Sequence, residues 1–166
     1  MESISPAQRS ALIWSAREVR KLELLDDYPA DEELFSAWKK GDAETVARIV
    51  GVWRDKHARE TEDGLVWRRL RVVSEPLSGY QRMAVEIAVP AEDLRWLPRR
   101  LVSAVPLPGN DCFVLGEDAV IFNVHDGNGF RSDIQLSRDR QVVAFCRQAF
   151  DRAWSLGVPS GEYRPG

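Results

Sequence analysis

Cysteine and histidine are scarce in this 166-residue chain, with two of each, and that scarcity excludes much chemistry. A structural zinc site takes four Cys or His ligands with pairs at close spacing, whereas Cys112, Cys146, His57 and His125 include no close pair. A disulfide scaffold is excluded too, since two well-separated cysteines in a reducing compartment are expected to be buried thiols. No apolar run approaches the roughly 18 residues that span a bilayer. The N-terminus, Met1-Glu2-Ser3-Ile4-Ser5-Pro6, lacks the basic and apolar segments of a signal peptide. The expected location is therefore the cytoplasm, with no membrane contact. Internal repeats and low-complexity segments are absent as well. Neither a metal nor a cofactor is expected.

What is present fits one folded α/β (α+β) domain. The composition is 44% hydrophobic, 30% charged and 9% aromatic, within globular norms. A chain of this length buries roughly 70% of its unfolded surface. The formal charge of −3 is unevenly spread: ten basic against fourteen acidic residues in 1–63, seven against four in 64–105, and six against eight in 106–166. Only the middle third is basic, and modestly so, which argues against direct nucleic-acid binding.

Residues 1–63 read as a helical region. A helix over 6–19 starts with Pro6 and carries Leu12, Ile13, Trp14 and Val19. The segment from Lys21 to Tyr28 is too short to assign firmly and is compatible with a strand. Residues 31–58 predict a helical hairpin. Its first helix has Asp31, Glu32 and Glu33 in the first turn, Leu34, Phe35 and Trp38 on one side, and Lys39, Lys40 and Gly41 at the end. Asp42 then caps a second helix with Val46, Ile49, Val50, Trp53 and His57 in a stripe.

Residues 64–159 predict a mixed-sheet domain in the order β-α-β-β-β-β-α. Leu65–Val73 reads as a strand, followed by a helix with Ser74 as its cap, Pro76 in its first turn, an apolar face including Tyr80 and Ile87, and a stop before Pro90. A short strand near Leu94–Leu97 follows, then Cys112–Leu115, Ala119–Val124 and Phe130–Ile134, separated by turn-prone glycine segments. Ser137 is expected to cap a final helix whose face includes Val143, Cys146, Phe150 and Trp154, and Ser160–Gly166 reads as a tail. Truncating Trp154 to alanine is expected to be costly.

Catalytic candidates are few. His125 with Asp126 and Cys112 offers a conceivable nucleophile-base grouping, although Cys112 falls in an apolar strand and Asp126-Gly127-Asn128-Gly129 is explained by a turn. His57 sits on an apolar helical stripe. The carboxylate pairs Asp26-Asp27 and Glu62-Asp63 lie side by side in loops or helix ends, which suits capping or solvation. The one concentrated feature is basic: Arg68, Arg69 and Arg71 in one strand, Arg82 in the next helix, then Arg95, Arg99 and Arg100 around Trp96 and Pro98. Alternation puts Arg69 and Arg71 on the face opposite Leu70 and Val72. A solvated sheet edge would explain them. So would a site for an anionic ligand or acidic partner, helped by the dipole of the following helix. On the second reading, alanine at Arg69 or Arg71 lowers anion binding more than tenfold and leaves stability nearly unchanged.

The stretch Arg68-Arg69-Leu70-Arg71-Val72-Val73-Ser74-Glu75-Pro76-Leu77-Ser78-Gly79-Tyr80-Gln81-Arg82 resembles an uncharacterised actinobacterial family whose members are commonly encoded beside helix-turn-helix regulators in Streptomyces and relatives. Glu23, Asp26 and Tyr28 match as well, as do Leu94–Arg99 around Trp96, Leu107–Asp111 ahead of Phe113, Phe150 with Trp154, and Glu162–Pro165. The chain departs from the family pattern at Cys112-Phe113-Val114 and at Gly116. The element order also looks like half of a phospholipase D-like fold, without the His-x-Lys pair of its active members. The resemblance implies a non-catalytic regulatory or binding module acting with a helix-turn-helix regulator. Its expected site is Arg68, Arg69, Arg71, Tyr80, Arg82, Trp96 and Asp111, and its possible ligand is a small anion. The alternative is an enzyme or toxin-like effector using Cys112, His125 and Asp126 or the arginines.

Overall fold

Strand-forming runs rich in Val, Leu and aromatic residues, with side chains alternating between two faces, dominate the second half of the chain. The computed structural model describes residues 1–62, 64–89 and 92–166, with the side chain of residue 60 outside the description. The elements in chain order are β1 (Glu2–Ser3), α1 (Pro6–Ser15), β2 (Glu18–Glu23), α2 (Glu32–Lys40), α3 (Ala43–Glu62), β3 (Val66–Val73), α4 (Gly79–Glu86) and β4 (Asp93–Pro98). Then come β5 (Asp111–Leu115), β6 (Ala119–His125), β7 (Arg131–Ser137), α5 (Arg140–Leu156) and β8 (Val158–Pro159). Among the described residues they form one eight-stranded mixed sheet in the order β1-β7-β6-β5-β2-β3-β4-β8. β2, β3 and β4 run parallel, and the remaining pairs are antiparallel. From β3 to α5 the order is the expected β-α-β-β-β-β-α, and the α/β class holds.

The region 1–63 is less helical than its pattern implied. β2 lies in the middle of the sheet, between β3 and β5, so the chain before residue 64 is built into the sheet. β3 is consequently an internal strand, which overturns the reading of its arginines as a solvated edge.

Several local starts and stops also differ. Ser78, not Ser74, caps α4, its hydroxyl accepting from the Gln81 N–H at 3.1 Å. Ser74 is held by Asp26, which accepts from its N–H at 2.8 Å and its hydroxyl at 2.6 Å. Asp139 caps α5 through the Gln141 and Val142 N–H groups, while Ser137 ends β7. The α2 terminus is as expected, with Gly41 left-handed at φ 71°, a conformation that penalises residues with a Cβ. The last residues are docked: Tyr163 is buried, stacks on Trp96 with centroids 5.8 Å apart, and donates to Glu75 at 2.9 Å. The expected helix stop at Pro90, and Asp63 of the Glu62–Asp63 pair, lie outside the described residues.

Helices cover both faces of the sheet. One face carries Leu22, Leu70, Val72, Leu97, Val114 and Phe122 and packs under α5 through Val143, Cys146, Phe150 and Ala153. The other is covered at one end by α1, over Val19, Leu115, Ile121 and Leu136. At its other end α2 and α4 pack Leu34, Tyr80, Met83 and Ala84 against Leu94 and Trp96. Between these two apolar patches the second face is polar.

Candidate functional site

Cross-strand register builds the polar middle as two rows. One row runs Leu94, Arg69, Lys21, Phe113, Ile121 across β4, β3, β2, β5 and β6. In the next, one pleat along, Trp96 pairs with Arg71 and Arg71 with Glu23, and Asp111 pairs with Asn123. A face roofed by helices should be apolar, because burying unpaired charge is expensive. Here it holds a cavity of about 450 Å³ lined by both rows and by α1, α2, α3 and α4. That volume suits a small ligand.

Glu23 organises the floor. Only 5% exposed, it meets Lys21 Nζ at 2.7 Å, Arg69 Nε at 2.7 Å and Arg71 Nε at 2.8 Å. Arg69 also reaches Glu92 at 3.2 Å. Burial pushes the Glu23 carboxyl upward, but the Arg69, Arg71 and Lys21 charges outweigh it and hold the group well below the usual carboxylate range. Burial and the neighbouring Arg69 charge lower the Lys21 ammonium, against the opposing pull of Glu23.

Arg71 has the most distinctive environment. It is 6% exposed, and its guanidinium lies 5.9 Å from the Tyr28 ring, 5.9 Å from Tyr80 and 5.7 Å from Trp96. Its Nε is taken by Glu23, yet its Nη1, buried in the cavity wall, finds no hydrogen-bond partner among the described residues. The aromatic neighbours are themselves fixed. Tyr80 donates to Asp31 at 2.6 Å and Tyr28 to Asp111 at 2.8 Å, while Trp96 donates to Ser160 at 3.1 Å. Asp111 also accepts from the Leu24 N–H at 2.7 Å, tying down the chain after β2. Burial first, then the Glu23 charge, raises the Asp111 carboxyl.

Among the described residues the cavity walls carry six basic side chains, Arg9, Lys21, Lys56, Arg69, Arg71 and Arg131. Four acidic ones oppose them: Glu23, Asp31, Glu92 and Asp111. Lys56 has a further partner of its own, and without it the formal balance of the described lining residues is still one positive charge, which favours an anion. No group of three or more His, Cys, Asp and Glu is placed to hold a metal among the described residues.

Of the seven expected site residues, Arg69, Arg71, Tyr80, Trp96 and Asp111 line this cavity. Arg68 and Arg82 do not. Arg68 points to the opposite face and pairs with Glu18 at 3.3 Å and Asp93 at 3.7 Å. Arg82 is exposed on α4, its Nη1 3.4 Å from the Leu77 carbonyl. The loop from Ser74 to Ser78 separates β3 from α4, and neither Ser78 nor Gly79 lines the cavity, so positive charge there comes from sheet side chains rather than a helix start. Burial of Arg71, and its shared carboxylate with Arg69, also overturns the expectation that alanine at either position leaves stability nearly unchanged.

The Cys112, His125, Asp126 grouping does not assemble. Cys112 lies under α5 against Cys146, both buried thiols, and the Cys146 contact together with burial raises the Cys112 thiol. His125 faces the cavity on the other side of the sheet, edge-on to Tyr28 at 6.1 Å. Asp126 accepts from the Asn128 and Phe130 N–H groups at 2.8 and 3.1 Å, a turn function.

Lys21, Glu23, Tyr28, Asn123 and His125 join the site without having been grouped with the arginines beforehand. The signal for two of them was present: Val19, Lys21 and Glu23 alternate with Arg20 and Leu22, but the segment was too short to be read as a strand facing Arg69 and Arg71.

A family model described as a domain of unknown function, DUF6879, matches residues 9–165. The chain belongs to that family. No curated protein matches it at a significant level. The DUF6879 match takes in every wall of the cavity, from Arg9 in α1 to Arg131 in β7.

Proposed function

We propose that this DUF6879 chain is a non-catalytic binding module that takes a small anionic ligand on the polar face of its sheet and acts in the cytoplasm with a helix-turn-helix transcription regulator. The observation that carries the ligand half is the Arg71 guanidinium, buried in a net basic cavity with Nη1 unpaired. A buried donor without a partner costs about 1–3 kcal/mol, and a carboxylate or phosphate oxygen is its natural complement. The tyrosines and Trp96 around it hold the guanidinium plane in place, so little side-chain freedom is lost on binding. The regulatory half rests on the resemblance to an actinobacterial family encoded beside such regulators, and the β3-to-α5 order supports kinship with a phospholipase D-like half fold. His57 is followed by Ala58-Arg59 and His125 by Asp126-Gly127, so neither supplies that fold's His-x-Lys pair, in keeping with a non-catalytic role.

Titration calorimetry with benzoate and phenyl phosphate tests the ligand half. Wild-type protein is expected to bind at least one of them. Arg71→Lys, which keeps the charge beside Glu23 but removes the fork, is expected to bind more than tenfold more weakly, and Arg82→Ala to bind normally. Equal binding by wild type and Arg71→Lys would refute the assignment.

A further inference from the structure

Arg71 Nη1 is one of two unpaired N–H donors on this stretch of wall, and the position of the second restricts the ligand. Trp67, Arg69 and Arg71 stand at alternate positions of β3 and all line the cavity. The indole Nε1 of Trp67 is buried and, like Arg71 Nη1, has no hydrogen-bond partner among the described residues. Arg69 between them is already occupied by Glu23 and Glu92. β3 therefore presents two free donors separated by four residues, roughly 13 Å along the strand at the Cα level.

The two ends differ in character. Around Arg71 lie the Glu23 carboxylate and the hydroxyl-bearing rings of Tyr28 and Tyr80. Around Trp67 lie rings: His57 edge-on at 6.4 Å and Phe113 edge-on at 6.3 Å. Phe113 sits in the row between, with Lys21 Nζ 5.5 Å and the Arg9 guanidinium 5.9 Å from its ring centre. An indole N–H is a single uncharged donor, and among these rings a neutral acceptor satisfies it without desolvating a second full charge.

We infer that the ligand is elongated with a single anionic head, a carboxylate or phosphate on Arg71, a planar apolar body over Phe113, and a neutral carbonyl-type acceptor that takes the Trp67 indole N–H. This rests on the ligand reading above and goes further by fixing length, polarity and a second recognition point. Trp67 is then a specificity-determining residue, because a site built to donate a hydrogen bond rejects a ligand that cannot accept it.

The test uses matched pairs on the full chain: 4-acetylbenzoate against 4-isopropylbenzoate, and 4′-acetylbiphenyl-4-carboxylate against its isopropyl counterpart. 4-Acetylphenyl phosphate distinguishes a phosphate from a carboxylate head. Wild type is expected to prefer the acetyl member of at least one pair by about fivefold or more, the discrimination that one hydrogen bond provides. Trp67→Phe should erase that preference while still binding the isopropyl member, and Arg71→Lys should weaken both members. In the wild-type nitrogen-proton spectrum, the Trp67 indole resonance should move downfield with the acetyl member alone, a readout that does not depend on any variant folding. Equal binding of both members in every pair, with both still dependent on Arg71, overturns this inference and leaves the anion site standing. Failure of every probe to bind overturns both.

Discussion

The two faces of β2, β3, β4, β5 and β6 are made by the same five strands and differ in what they bury: one mainly apolar side chains, the other a charged cluster around a cavity. Under α5 the strands present Leu22, Leu70, Val72, Leu97, Val114 and Phe122, the space is closed by Phe150 and Ala153, and its buried Arg20 is paired with Glu18 and Asp151. One residue along each strand, the opposite face presents Lys21, Glu23, Arg69, Arg71 and Asp111, and helices roof it without filling it. The α5 face is what a folding chain needs. The charged face depends on pairing, because ions taken from water carry a desolvation cost that only their mutual attraction offsets. Its cations outnumber its anions among the described lining residues, and the proposed function gives that excess an anionic ligand. On that proposal, one face supplies stability and the other binding.

Substitutions on each face can break that division. The largest loss of stability is expected from Phe150→Ala, about 3–5 kcal/mol by chemical denaturation, since Phe150 is fully buried and its removal leaves a cavity. Trp154, stacked on Phe150 at 5.5 Å but only half-buried, should lose less than the earlier sequence pattern implied. Neither change should alter the anion selectivity of the folded protein.

Glu23→Gln is expected to follow, at about 3 kcal/mol, because Lys21, Arg69 and Arg71 would lose their shared carboxylate while remaining buried. This variant also sharpens the comparison: its folded fraction should bind anions more tightly than wild type, whereas no α5-face variant should.

Acid titration separates the faces without mutation. The folded-state Glu23 carboxyl is depressed below its ordinary 4.5, so its contribution is complete above that value and is lost as pH falls through the depressed one. Asp111 is raised above its ordinary 3.8, so its contribution has the opposite sign, present below that value and lost as pH rises through the raised one. Stability measured from pH 3 upward should therefore show an acid limb that flattens in Glu23→Gln and a neutral-side decline that flattens in Asp111→Asn. A profile unchanged in both variants would remove these groups from the account.

The smallest effects belong to the arginines outside the cavity. Arg82→Ala should change stability by about 1 kcal/mol or less, as exposed charges do, Arg68→Ala should cost only its half-buried pairs with Glu18 and Asp93, and both should leave benzoate binding intact. A large binding loss in either would move the site away from the polar face.

Most strands and helices were legible because their periodicity was local. The β3-to-α5 order followed from alternating runs bounded by Gly127, Gly129 and similar turn residues, and from stripes such as Val143, Cys146 and Phe150. What was not legible is set by distant pairing. β2 is six residues long, and nothing in Glu18–Glu23 tells that it will lie parallel to β3 and bring Glu23 beside Arg71. Without that register the arginines look like a charged edge, although alternation along β3 already separates Arg68 from Arg69 and Arg71. The Ser74 cap failed for a related reason: its partner, Asp26, lies far away in the chain. Tyr163, too, looked like part of a tail because its ring partner, Trp96, is brought to it only by β4 and β8.

Native mass spectrometry of the protein purified from its native source, beside Arg71→Lys prepared identically, tests the assignment of binding to the polar face most directly. The account predicts that wild type retains a small acidic molecule, released on denaturation, that Arg71→Lys has lost. A wild-type chain that carries nothing, or an Arg71→Lys chain that carries the same molecule to the same extent, would contradict it.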